Sequence, residues 1–404
     1  MSTSLLYHAF GLRGYRYVSS RFEEGSVSFT IDQPREHLRC AGCGSDNVWA
    51  QGGSARTFRT LPIGNKPTFL RFAVPRVLCF DCGQIRQVKV PFAEPRRSYT
   101  RAFERYALEL SRHMTIQDVA RHLRVGWDTI KDIQARHLQR RFGKPKLAKL
   151  KEIAIDEVAV GKGQHYLTLV LNLRSGAVVY VGAGKGVDSL RAFWPRLPRS
   201  RAQVRAVATD MGRPYILAVR QHLPRAVHVL DHFHVIKLFN DKLSAFRREL
   251  YRALTDAGQR RLLKGTRWLL LKNPENLDSA RDEHQRLRDA LALNTPLTVA
   301  YYLKEDLRQI WGQPDKATAR RVLRDWVSRA RASGIAMLVQ FAATLVQHQR
   351  GILAYYNYRI STGPLEGTNT KIQLMKRQAY GFRDQDFFKL KILGIHETKH
   401  ALVG

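Results

Sequence analysis

The chain has 404 residues, 44% of them hydrophobic and 10% aromatic, which suits two to four globular domains and excludes a disordered chain. Lys and Arg number 68 against 34 Asp and Glu, a formal net charge of +34 with a pI near 10.6. That excess is more than solubility needs. It is spread along the whole chain, which points to a phosphate polyanion rather than to a membrane-surface helix.

The first residues, MSTSLLYHAFGLRGYRY, are too polar for a secretory signal, and no apolar run approaches the roughly 18–20 residues of a membrane span. A soluble intracellular protein without membrane contact is expected. The four cysteines fall in two C-x2-C pairs, Cys40-Ala-Gly-Cys43 and Cys79-Phe-Asp-Cys82, each followed by a glycine, Gly44 or Gly83. Four thiolates suit structural Zn2+ in tetrahedral coordination. The 35 residues between the pairs contain TFRTLPIGNKPTFLRFAVPRVLC, which reads as strands folding the second knuckle back onto the first. Four ordinary buried cysteines are the alternative, and the repeated spacing argues against it. Residues 1–95 are therefore expected to form a zinc-binding module.

Residues 96–150 read as a helix-turn-helix followed by a basic linker. Tyr99 to His113 has helical spacing. Thr115 caps a short helix, Ile116 to Leu123, Gly126 makes the turn, and Trp127 to His137 forms a second helix. Ile116, Val119, Ala120, Leu123, Val125, Ile130 and Ile133 supply its small core. The second helix is expected to present Asp128, Thr129, Lys131 and Asp132 outward, with Gln134 and Arg136 further along, as candidate DNA contacts. The stretch RRFGKPKLAKLKE, Arg140 to Glu152, reads as a solvated connector between domains that can also touch phosphates.

Strands are expected over Ile153–Val160 and Tyr166–Leu173, joined through Gly161-Lys162-Gly163, and over Ala177–Ala183. A helix follows at Ser189–Leu197, then strand Val204–Thr209, helix Pro214–His222 and strand Ala226–Leu230. This β-β-β-α-β-α-β order, with the first three strands antiparallel, is that of a ribonuclease-H-like mixed sheet. In such a sheet the first strand lies beside the fourth, so Asp156 comes close to Asp210. Adjacent carboxylates repel unless a cation lies between them. Mg2+, or Mn2+ in its place, suits an all-oxygen site that retains waters, and a pair of such ions can drive phosphodiester chemistry. The third carboxylate is sought in YRISTGPLEGTNTKIQLMKRQAYGFRD, where Glu366 lies in the first turn of a helix that begins at Ser361-Thr362-Gly363-Pro364. On the same helix follow Asn369, Thr370 and Gln373, with Lys371, Lys376 and Arg377 making it basic. Glu157 alternates to the strand face opposite Asp156.

Over nearly its whole length the chain resembles bacterial DDE transposases of the ISL3 family. The marks are the paired knuckles, the helix-turn-helix, AIDEVAVGKGQHYLTLVLNL, VATDMGRPY, DHFHVIKLFN and STGPLEGTNTKIQLMKRQAYGFRD. The resemblance implies Asp156, Asp210 and Glu366 as a triad binding two Mg2+ ions, and a helical insertion between Asp210 and Glu366. The 155 residues between them agree, since 242–350 reads as helices. The core then comprises 151–241 and 351–404. Related enzymes stack an aromatic residue of the insertion on a base. Trp268, flanked by Lys264 and Arg267, is the better candidate, although core packing is the commoner role for it and for Trp326. Related enzymes also carry D-x-x-H after the fifth strand, here Asp231 and His234, with His234 either touching the scissile phosphate or pairing with Asp231. Many DDE enzymes place Lys or Arg seven residues after the glutamate. Here that residue is Gln373, a candidate DNA contact that can hydrogen-bond phosphate but brings no charge; either Lys371 or Lys376 takes the role or the contact is weaker.

The expected activity is transposition. The N-terminal modules would bind the terminal inverted repeats of an insertion sequence, and the core would cut and join DNA in a cut-and-paste manner. A homodimer holding two ends on target DNA, within a bacterial nucleoid, is expected. A DNA-binding regulator derived from a transposase and a nuclease without strand transfer are the alternatives.

Overall fold

The computed structural model describes residues 3–161, 163, 165–264, 266–292 and 294–397, without the side chains of 3–5. Lys162, in the expected Gly-Lys-Gly turn, lies outside the described residues. The chain divides into two compact units, Met1–Arg141 and Phe142–Gly404.

The first unit opens with α1 (Thr3–Phe10), β1 (Arg16–Glu23) and β2 (Ser26–Asp32). The long strands β3 (Val48–Ile63) and β4 (Lys66–Cys79) form an antiparallel hairpin, and the short β5 (Ile85–Gln87) pairs with β4. The sheet order is β1-β2-β4-β3. The hairpin register sets Val48 opposite Cys79, so the strands do fold the second knuckle back onto the first. Then come α2 (Arg101–Leu110), α3 (Ile116–Leu123) and α4 (Trp127–Phe142). The Thr115 hydroxyl accepts from the Asp118 amide and caps α3, as its position suggests. The turn after α3 differs from expectation. Its left-handed residue is Arg124, at φ 51°, rather than Gly126. All seven expected core residues pack together with Tyr99, Phe103 and Ala107. Zinc module and helix-turn-helix share this one unit. The Arg59 guanidinium, 7% exposed, spans them by donating to the carbonyls of Leu123 (2.9 Å) and Thr68 (3.3 Å).

In the second unit, β6 (Glu152–Ala159), β7 (Tyr166–Asn172) and β8 (Val178–Ala183) are antiparallel neighbours. Next follow α5 (Arg196–Arg199), β9 (Ala206–Thr209), α6 (Arg213–His222) and β10 (Val227–Leu230). The sheet order is β10-β9-β6-β7-β8, with β6, β9 and β10 parallel. The helix expected over Ser189–Leu197 does not form. Val187–Leu190 is a single 3-10 turn and α5 has four residues, because Pro195 lacks an amide and its ring crowds the preceding turn. The basic linker is not a solvated connector either. Leu147 and Leu150 are buried with Ile153, Phe193 and Trp194, while Ala148 and Lys149 between them face water.

From Asp231 onward the chain is helical through α7 (His232–Ala253), α8 (Ala257–Leu263), α9 (Arg267–Leu271), α10 (Glu283–Ala292), α11 (Thr295–Gln309), α12 (Lys316–Ala332) and α13 (Ala336–Leu353). These helices share a core around Phe239, Trp326 and Phe341. At Gly351, α13 comes so near β10 that an added Cβ would meet Leu230 at 2.6 Å. The chain then returns through α14 (Gly363–Gln378) and α15 (Gln385–Leu393). Both helices cover the face of the sheet that carries Ala154, Val158 and Ala208, while Ile153, Ile155 and Val207 face α6 and Trp194. Burial on both faces explains why these strands are nearly continuous apolar runs.

Candidate active site

The parallel register places the acidic residues. Across β6 and β9, Glu152, Ile153 and Ala154 pair with Ala206, Val207 and Ala208, a constant offset of 54. Carried two residues beyond these pairs, the same offset sets Asp156, within β6, level with Asp210, just past β9. Across β9 and β10, Leu230 pairs with Thr209, and the Asp231 amide donates to the Thr209 carbonyl at 2.9 Å. Asp156, Asp210 and Asp231 therefore lie level across three adjacent parallel strands, Asp156 within β6 and the other two just past the carboxyl ends of β9 and β10.

Alternation gives each carboxylate its surroundings. Asp156 shares the face of Ala154 and Val158 and lies under α14, where the Asn369 Nδ2 donates to its Oδ2 at 3.1 Å. Burial pushes the Asp156 carboxyl up; the Glu157 amide and the charge of His234 oppose this, and Asp210 adds to it. Glu157 does occupy the opposite face. There it accepts from the Tyr215 hydroxyl (2.5 Å) and the Gly186 amide (3.2 Å). Asp210 accepts from the Gly212 amide at 2.9 Å.

Asp231, 1% exposed, receives His234 Nδ1 at 2.9 Å and the Thr362 hydroxyl at 2.7 Å on one oxygen. Burial alone would raise its carboxyl, but these two donors and nearby His232 hold it below the usual range. Since Asp231 accepts, His234 Nδ1 carries the proton. That hydrogen bond also raises the imidazole's affinity for a second proton against the cost of burial, and the charges of Asp156 and Asp210 act the same way. Thr362 stands just before α14 but caps none of its amides; its hydroxyl reaches across to Asp231.

Glu366 is exposed in the first turn of α14, three residues before Asn369. Among the described residues, only the four cysteines bring three or more potential ligands within 4.8 Å of one another. Asp156 and Asp210 are thus aligned, and Glu366 lies on the helix above them, without the three being gathered. The chemistry of the donors fits a hard cation. Carboxylate oxygens lie in a row, and the Asn369 Oδ1 beside them is buried with no hydrogen-bond partner.

The cysteine sulfurs pair at 3.7 Å (Cys40 with Cys82) and 3.5 Å (Cys43 with Cys79). A tetrahedron with Zn–S bonds of 2.3 Å has edges of about 3.8 Å, so the cluster is the right size for zinc. The knuckles are alike: the Gly44 amide donates to Cys40 and the Gly83 amide to Cys79, and both glycines have positive φ.

The expected DNA contacts separate into several groups. On α4, Thr129 is half-buried and Lys131 lies over the exposed Trp127 ring, 5.4 Å from its centroid. Gln134 is 4% exposed and does not face outward, because the helical period places it on the Ile130–Ile133 face. Arg136 is held inside the unit by Asp132 (3.2 Å), Glu104 (3.6 Å) and the Tyr99 hydroxyl. On α14, the Gln373 Nε2 donates to the Ala159 carbonyl at 2.5 Å and ties the helix to β6. Lys371 approaches His396 (3.5 Å), Lys376 is half-buried and Arg377 is exposed. Trp326 is fully buried and donates to the Leu303 carbonyl. Trp268 is not a core residue: it is 65% exposed, with the Arg267 guanidinium 4.9 Å from its ring centroid. No helix among the described residues is long and apolar enough to cross a membrane.

Family comparisons agree with this organisation. A transposase family of the ISL3 type matches residues 153–392. The helix-turn-helix domain of transposase family ISL3 matches 88–138, and the zinc-finger of transposase IS204/IS1001/IS1096/IS1165 matches 37–82. The transposase for insertion sequence element IS1001 of Bordetella parapertussis is 34% identical over 370 residues, covering 91% of each chain. The transposase for IS1557 of Mycobacterium tuberculosis (strain CDC 1551 / Oshkosh) is 31% identical over 396 residues, covering 91% of this chain and 87% of its own. The chain belongs to the ISL3 family of transposases.

Proposed function

We propose that the second unit is a ribonuclease-H-like core interrupted by the α7–α13 helices, and that it cuts and joins DNA through Asp156, Asp210 and Glu366. The observation that carries this reading is the constant register of β6 and β9, which levels Asp156 with Asp210 beneath the helix bearing Glu366. These three carboxylates would hold Mg2+, whose charge would activate the attacking oxygen and stabilise the leaving one. His234, held in place by Asp231 and biased by it toward the protonated form, would face the reacting phosphate. Cleavage puts a water oxygen on phosphorus and releases the 3′-hydroxyl of the element end. Transfer puts that 3′-oxygen on a target phosphorus and releases a target 3′-hydroxyl.

In this reading the knuckles hold Zn2+, and α4 meets the terminal inverted repeats through Thr129 and Lys131. Within the second unit, Lys376 and Arg377 would contact phosphates along α14, and Trp268 is available to stack on a base. Two copies bring two ends together for cut-and-paste transfer. The test is a labelled duplex carrying the element's own terminal repeat, incubated with Mg2+ and either wild type or Asp156→Asn. Wild type should cleave and join, and the variant should do neither. Wild type that stays inactive would overturn the reaction assignment. Cleavage retained by Asp156→Asn would overturn the triad.

A further inference from the structure

We propose that Asn369 is a positioning residue of the cation site, locking the orientation of Asp156 and offering an acceptor to a water of the cation's shell. This rests on the carboxylate reading of the site given above. Two observations carry it. The Asn369 Nδ2 donates to Asp156 Oδ2 at 3.1 Å, and the Asn369 Oδ1 is buried with no hydrogen-bond partner.

An amide has a donor end and an acceptor end. The donor end occupies one oxygen of Asp156 and fixes the orientation of the carboxylate beside Asp210. The acceptor end has no task in the fold. Holding α14 against β6 requires a donor alone, as Gln373 demonstrates one turn later at the Ala159 carbonyl. A buried carbonyl without a donor is unfavourable and is retained where something else supplies the donor. Mg2+ keeps several of its waters, and those waters need acceptors around the site. Glu366, Asn369 and Gln373 recur at one-turn intervals along one face of α14, so Asn369 lies next to the triad glutamate with its acceptor end uncommitted.

The experiment titrates zinc-loaded full-length protein with Mn2+, without DNA, following free Mn2+ by electron paramagnetic resonance. The proteins are wild type, Asp156→Asn, Asn369→Ala, Asn369→Leu and Gln373→Ala. The leucine variant preserves side-chain volume should the alanine variant fail to fold. Both Asn369 variants are expected to weaken Mn2+ binding by about ten- to a hundred-fold. Gln373→Ala, which removes a comparable helix–strand tie, should lower the melting temperature and leave the titration unchanged. Asn369 variants that titrate like wild type would overturn the inference while sparing the triad. So would a Gln373→Ala titration shifted as far as theirs, since the effect would then be structural. Wild type that binds no Mn2+, or Asp156→Asn that binds like wild type, would overturn the triad reading and this inference with it.

Discussion

Thr362→Val removes one hydroxyl from the buried polar cluster around Asp231 and replaces it with a methyl group of similar size. The Asp231 side chain is fully buried, and one of its oxygens accepts from both Thr362 and His234. Its other oxygen has no hydrogen-bond partner among the described residues, and His232 Nδ1 stands 3.7 Å from it, beyond hydrogen-bond reach. A hydrogen bond to a charged group contributes about 1.5–3 kcal/mol, and with no cavity formed that is the expected loss. For a unit of this size it lowers the melting temperature by roughly 3–12 °C. Trp194 and Trp326 are buried in the second unit, whereas Trp49 and Trp127 of the first are exposed, so tryptophan emission follows the relevant transition. The pH dependence adds a second check. Asp231 is held below its ordinary value of 3.8, so its ionised cluster contributes stability above that pH and loses it as pH falls through the folded value. The cost of Thr362→Val should be full at neutral pH and shrink on acidification. A cost below about 0.5 kcal/mol at pH 7, the range of an ordinary surface change, would refute the argument.

Glu157→Gln keeps an acceptor for the Tyr215 hydroxyl and the Gly186 amide, so it should retain cleavage activity that Asp156→Asn loses. Equal losses in the duplex assay would mean the two faces of β6 do not have separate tasks. Trp326→Ala should cost about 3–5 kcal/mol in unfolding experiments, as for any large buried aromatic. Trp268→Ala should change stability by less than about 0.5 kcal/mol and, where the ring stacks on a base, weaken DNA binding by about 1–3 kcal/mol. Arg59→Met leaves the Leu123 carbonyl at the end of α3 without its donor and should cost the first unit about 1–3 kcal/mol. Faster amide exchange in α3 than in β3 would report it.

The features legible in the sequence were those with local causes. The C-x2-C knuckles with their glycines, the Thr115 cap and the period-2 and period-3.6 patterns each depend on residues a few positions apart. The row of Asp156 and Asp210 needed one further step, the strand order, which follows from how β-β-β-α-β-α-β elements pack. Gln134 was open to correction from the period alone, since it follows Ile130 by four residues. Pro195 likewise argued against a helix through Leu197. Other features were not readable. Thr362 meets Asp231 across 131 residues, and Arg59 meets Leu123 across 64, with no sequence signal joining them. Leu147 and Leu150 sit among basic residues whose charge masks two core positions. Trp268 and Trp326 have the same residue type and similar basic neighbours, and only the packing of α9 and α12 separates an exposed ring from a buried one.

The central claim is that carboxylates from β6, β9 and α14 form one cation site. Crystals of the zinc-loaded protein soaked in Mn2+, with data collected at the manganese absorption edge, test it most directly. The account predicts an anomalous peak shared by Asp156 and Asp210 on the side that faces Glu366. A peak only at other carboxylates, with Asp156 and Asp210 left unliganded, would contradict it.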